Sequence, residues 1–294
     1  MPISRKIMGV SRGGVSKKAI FGYGQTTVNV SLTNLVSNAG VVATDTTGVG
    51  TARKSLAAAG YGTDKAIFGY GTTGLAVSLT NLVNSSGVVA SDVTGVGTAR
   101  YGLAAASYGT DKAIFGYGNP TTAVINLVSN TGVVSSDTAG VGTARHSLAA
   151  AGYGTDKAIF GYGRANPSVY ETNLTNLVSN AGVVASDTAG VGSVKTVLSA
   201  AGYGNDKAIF SYGNLSGNTN LVSSSGVVAN DVTGVGTARN SLAASSFGTD
   251  KAIFGYGSGP VSITNLVSNT GIVATDTTGI GTARSLLAAS SYGS

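Results

Sequence analysis

Six basic residues recur at one place in the chain: Arg53, Arg100, Arg145, Lys195, Arg239 and Arg284 each follow the asparagine of an NLV phrase by 19 positions. Guanidinium and ammonium groups gathered around an axis can bind a carboxylate, a phosphate or an acidic sugar. A matching acidic series, Asp45, Asp92, Asp137, Asp187, Asp231 and Asp276, follows the same asparagines by 11. With six charges of each sign at fixed spacing, ion pairing between the series, or hydrogen bonds from arginine to the glycine-rich links, is a simpler expectation than a free anion site. A second series, Asp64, Asp111, Asp156, Asp206 and Asp250, sits in GTD or GND phrases. It reads as turn-forming, because an aspartate carboxylate accepts hydrogen bonds from nearby backbone amides.

Little else in the chain could catalyse a reaction. Cysteine is absent, and the single histidine, His146, takes a position held by Lys54, Tyr101 or Asn240 in other repeats. It reads as a surface residue rather than a general base. The aspartates are dispersed, not clustered at calcium-loop spacing, and the His/Cys ligands of a zinc site are lacking. Gly-rich phrases such as GYGTTG open no helix, so no phosphate loop is expected. The expectation is a protein with no enzymatic activity, no metal and no cofactor.

The elements that position these residues repeat six times. IFGYG begins at Ile20, Ile67, Ile114, Ile159 and Ile253, with IFSYG at Ile209, and the spacing from each basic residue to the next such phrase is 14. All length variation therefore falls between this phrase and NLV. In each unit an Ala-rich stretch such as RKSLAAAGYG reads as a first strand, GTD as a turn and KAIFGYG as a second strand. SLTNLV alternates as a third strand, and VVA after an SNAG-type turn reads as a short fourth. Phe21 and Tyr23 project to one face of their strand while Gly22 and Gly24 leave the other hollow, as stacking against a neighbour requires. Small residues such as Ala57 to Ala59 suit a crowded innermost strand.

Four short strands in about 47 residues define a propeller blade, and six units define a single domain over residues 17–294. The chain ends in ARSLLAASSYGS, a first strand, whereas Lys17 and Lys18 enter a second strand directly. The expected fold is an all-β, six-bladed β-propeller of four-stranded blades, closed by pairing the C-terminal strand Arg284–Tyr292 with Lys18–Gly24. An open solenoid would instead call for capping repeats.

Of the formal charge of +6, Arg5, Lys6, Arg12, Lys17 and Lys18 carry five. The body is nearly neutral and offers no broad phosphate-binding surface, so nucleic acid is not an expected partner except through the basic arm, residues 1–16, which reads first as a solvated leader. No run is long and apolar enough to span a bilayer, and no secretory h-region follows the basic leader.

Strand parity puts the variable loops, 25–33, 72–80, 119–125, 164–175, 214–219 and 258–264, on the face that carries the six basic residues. There the basic series is expected to surround the mouth of an axial channel. The longest loop, RANPSVYETNLT, contributes Arg164, Asn166, Tyr170 and the chain's one glutamate, Glu171. Loops that differ on a fixed scaffold are where recognition usually resides.

The order of phrases resembles the kelch repeat: arginine entering a first strand (AR before SLAAA), a hydrophobic second strand ending in glycines (KAIFGYG), and a third strand after a variable loop. Gly-Tyr-Gly stands in place of the kelch Gly-Gly doublet, and the kelch tryptophan is missing because the chain has none. A closer similarity is to kelch-like, glycine-rich repeat proteins encoded by tailed bacteriophages, which share the TAR, LAA and FGYG-like phrases. That resemblance implies a structural or adhesive virion component at a tail or capsid surface, whose partners are other virion proteins or a host-surface glycan or protein. The alternatives to a virion protein are a soluble lectin-like propeller, with glycan sites between blades, and an intracellular protein-interaction scaffold; the alternative location is extracellular or cytoplasmic.

Overall fold

A computed structural model describes residues 16–165 and 170–293. Over these residues the chain is all-β, with no helix. Most of the basic arm and Asn166 lie outside the described residues.

Each repeat builds one three-stranded antiparallel sheet. In the second, Ala57–Tyr61 pairs with Lys65–Gly69, which pairs with Thr80–Val83. The same order recurs from Ala104–Tyr108, Ala149–Tyr153, Ser199–Tyr203 and Ala243–Phe247 as first strands. The sixth sheet joins the two ends of the chain: Ala288–Tyr292 pairs with Lys18–Gly22, in register Lys18 to Tyr292, and Lys18–Gly22 pairs with Thr33–Val36. The expected pairing of the C-terminal strand with the first repeat is therefore present.

The middle strand is buried almost throughout because both its faces meet neighbouring sheets. Gly22, Gly69, Gly116, Gly161 and Gly255 make room for this. A Cβ at Gly69 would lie 2.7 Å from Phe115 Cζ of the next repeat, and one at Gly255 would lie 2.8 Å from Phe21 Cζ. Each phenylalanine also meets the preceding repeat's tyrosine edge-on, as Phe68 does Tyr23 at 5.1 Å between ring centres and Phe21 does Tyr256 at 5.1 Å. Such pairs add about 0.5–1.5 kcal/mol beyond area burial. The first strands pack side by side, and Ala288–Tyr292 lies against both Ala243–Phe247 and Ala57–Tyr61.

Three sequence expectations need correction. Tyr23 does not share the face of Phe21: at φ 64° it packs on Phe68 of the next repeat, whereas Phe21 packs on Tyr256 of the preceding one. The VVA segment is not a fourth strand; it meets the third through isolated bridges, Val36 with Val42 and Thr33 with Thr46 in the first repeat. The Asn34 side chain takes the Ala43 carbonyl and Asp45 Oδ1, so the chain is drawn away before a ladder can propagate. Nor does the first strand begin at the basic residue. It starts at Ala57, because Ser55 at φ 54° breaks the extended run after Arg53. The fourth unit departs further: Arg145–His146, Arg164–Ala165 and Tyr170–Glu171 form an additional small sheet.

Candidate functional site

The NLV asparagine lies on the third strand, between a threonine or isoleucine and a leucine, and all six copies are fully buried. Asn81 donates from Nδ2 to the Ala90 carbonyl at 3.0 Å and to Asp92 Oδ1 at 2.9 Å. Its Oδ1 accepts from Arg53 Nη2 at 2.7 Å. Arg53 also donates from Nε to the Tyr70 carbonyl at 2.8 Å and from Nη1 to the Thr51 carbonyl at 3.2 Å. Its guanidinium lies 4.4 Å from the centre of the Tyr23 ring, on the preceding repeat. Asp92 Oδ2 accepts from the Thr51 amide at 2.9 Å and the Thr51 hydroxyl at 2.6 Å, fastening the glycine-rich link.

Arg100, Arg145, Arg239 and Arg284 repeat this cage on Asn126, Asn176, Asn265 and Asn34. The two charge series pair as expected, with N–O separations from 3.4 Å at Lys195–Asp231 to 3.9 Å at Arg239–Asp276. Hydrogen bonds from threonine and asparagine outweigh partial burial and hold the Asp92 carboxyl below its ordinary value. Burial pushes the Tyr23 and Tyr70 hydroxyls up to about 12.

The basic residues therefore lie between sheets and do not surround the channel mouth; Arg53 is 0% exposed. A cavity there is lined instead by Leu56, Ala57, Ala58 and their counterparts in the other five sheets. Stacking on the preceding tyrosine draws each cation away from the axis. Strand periodicity could not reveal this, but the asparagine recurring at one position of every third strand was the available signal for a buried polar partner.

One cage differs. Lys195 bonds to Asn220 Oδ1 and sits 5.4 Å from the Tyr162 ring centre. The Tyr162 hydroxyl, which in other repeats donates to the link carbonyl as Tyr70 does to Val96, is buried without a partner.

The variable loops lie beside the segments that follow the basic residues. Gln25 bridges Ser285, Thr72 bridges Lys54 and Asn119 bridges Tyr101. In the longest loop Arg164 and Glu171 approach to 3.5 Å, and Asn214 of the next loop donates to Glu171 Oε2 at 2.6 Å. Tyr170 projects outward, 75% exposed. His146 faces Arg164 in register, with Nδ1 2.9 Å from Ser147 Oγ. Partial burial, then the neighbouring Arg164 charge, lower its basicity. Among the described residues no group of three or more His, Cys, Asp or Glu side chains could hold a metal.

At the opposite, turn-bearing end, grooves run between adjacent sheets. One of about 490 Å³ is lined by Tyr61, Lys65, Leu82, Val88 and Asn130, and its equivalent of about 440 Å³ by Tyr108, Lys112, Leu127, Val133 and Asn180.

Comparison with protein-family models and with curated proteins finds no match to this chain.

Proposed function

We propose that residues 17–294 form a closed, six-bladed, kelch-like β-propeller. It serves as a non-enzymatic structural or adhesive component of a bacteriophage virion, at the tail or capsid surface, and binds through its variable loops. The observation that carries this reading is how the polar groups are divided. Every charged or amide side chain of the Arg–Asn–Asp series is engaged within the scaffold. The side chains that differ among repeats, Arg164, Tyr170, Glu171 and Asn214, stand on one face. Closure draws support from the cycle of first-strand contacts and from the sheet shared by the two ends. The virion setting rests on the resemblance to phage-encoded repeat proteins.

A second reading, a lectin-like propeller, is favoured by the recurring grooves that combine a tyrosine, a lysine and an asparagine. Aromatic faces beside polar donors suit sugars. Antibody detection of the chain in purified virions, together with a glycan array on the purified protein, separates the two. The virion component is expected to copurify with particles and to lose attachment when residues 164–175 are replaced by a short turn. Saturable sugar binding that survives that replacement, with no copurification, would overturn the virion reading.

A further inference from the structure

The turn-bearing mouth of the axial channel is a polar cavity of about 230 Å³, distinct from the variable-loop face. Ser107, Ser246 and Ser291 line its wall, and the lysines Lys157, Lys207 and Lys251 stand on its rim. In five repeats the rim lysine follows an aspartate and pairs with it, at separations from 2.8 Å for Lys157–Asp156 to 3.6 Å for Lys112–Asp111. The first repeat breaks this pattern. Lys17 occupies the aspartate position and Lys18 the lysine position.

Five turn aspartates therefore face seven lysines, and the two surplus positive charges are adjacent in the first repeat. The Lys17 backbone exchanges hydrogen bonds with Gly248, at 2.8 and 2.7 Å, which fixes its main chain beside the cavity that Lys17 lines. Among the described residues neither Lys17 nor Lys18 makes an ion pair or side-chain hydrogen bond; Asp250, also on the lining, is paired with Lys251. Ser294 lies outside the described residues. Burial disfavours the Lys17 charge. A cation half withdrawn from water, beside serine and threonine hydroxyls, gains most from an oxyanion that both neutralises it and accepts from those hydroxyls.

We propose that this mouth is a binding site for a compact oxyanion, a phosphate or carboxylate group presented along the channel axis, with Lys17 as its principal contact.

The test is calorimetric titration of the full chain with inorganic phosphate, and in parallel with citrate, at ionic strength matched with sodium chloride. Saturable binding of either anion is expected, and which of the two binds identifies the source of the oxyanion. Lys17→Asp installs the residue that the other five turns already carry, so the fold is retained, and it should weaken binding at least tenfold. Lys65→Ala, which removes the equivalent lysine of the second repeat, paired with Asp64 and outside the cavity lining, should change affinity less than twofold. No saturable binding beyond the chloride control, or equal losses in the two variants, would overturn the proposal.

Discussion

Arg284 donates from Nη2 to Asn34 Oδ1 at 2.6 Å, joining residues that lie 250 positions apart in the chain. The same bond joins Arg100 to Asn126 within one repeat, at 2.5 Å. If the repeats are equivalent around a ring, the two bonds carry the same load. Arg284→Ala and Arg100→Ala should each cost about 3 kcal/mol or more, because each leaves a cavity and a buried amide short of a partner. Urea unfolding checks this; a loss at Arg284 below half that at Arg100 would contradict equivalence.

Lys195 is the natural exception among the cages, and it supplies a gain-of-stability test. A planar guanidinium would stack on Tyr162 and present a fork to Asn220, as Arg53 does on Tyr23 and Asn81. Lys195→Arg should stabilise by about 1 kcal/mol. The urea midpoint should rise without a change in slope.

Ser211 stands where five repeats have glycine, and its buried hydroxyl has no partner. The backbone there already accommodates a Cβ, so Ser211→Ala removes only the unsatisfied oxygen. A gain of about 1 kcal/mol is expected. Gly69→Ala should do the opposite, since its new methyl would meet Phe115 at 2.7 Å. Thermal unfolding of the two variants side by side reads both signs.

Acid and base should each weaken the molecule, for separate reasons. The cage aspartates are held below the ordinary carboxylate value, Asp231 down to about 2, by hydrogen bonds that outweigh partial burial. A depressed folded-state value means stability that is present above about pH 4 and lost as the pH falls towards 2. Tyr23 and Tyr70, raised by burial to about 12, act in reverse. Their contribution is present below about pH 10 and lost as the pH rises towards 12. Urea midpoints should change little between about pH 5 and 9, and fall below about pH 4 and above about pH 10.

The repeat, the strand order and the joining of the chain ends were legible in the sequence because they depend on period and spacing. Phe21 against Gly255 follows from side-chain alternation and a glycine of the right parity. The place of Arg53 was not legible. Its depth depends on Tyr23 of the preceding repeat and Asn81 of its own, contacts made in three dimensions at different sequence separations. The fourth strand failed for a related reason. VVA has strand composition, but the Asn34 side chain captures the backbone that a ladder would need. In the variable loops the sequence located Arg164, Tyr170 and Glu171 but not the Asn214 bond that ties two loops together.

The central claim is that six equivalent units close on themselves, and it reduces to one distance. Asn38, Ser85 and Asn269 hold equivalent, exposed positions in the first, second and last NLV-following turns. The absence of native cysteine allows spin labels to be placed there uniquely. Double electron–electron resonance on Asn38→Cys with Ser85→Cys, and on Asn38→Cys with Asn269→Cys, compares adjacent repeats with terminal ones. A closed ring gives the same distance for both pairs; a separation between 38 and 269 several times that between 38 and 85 would contradict it.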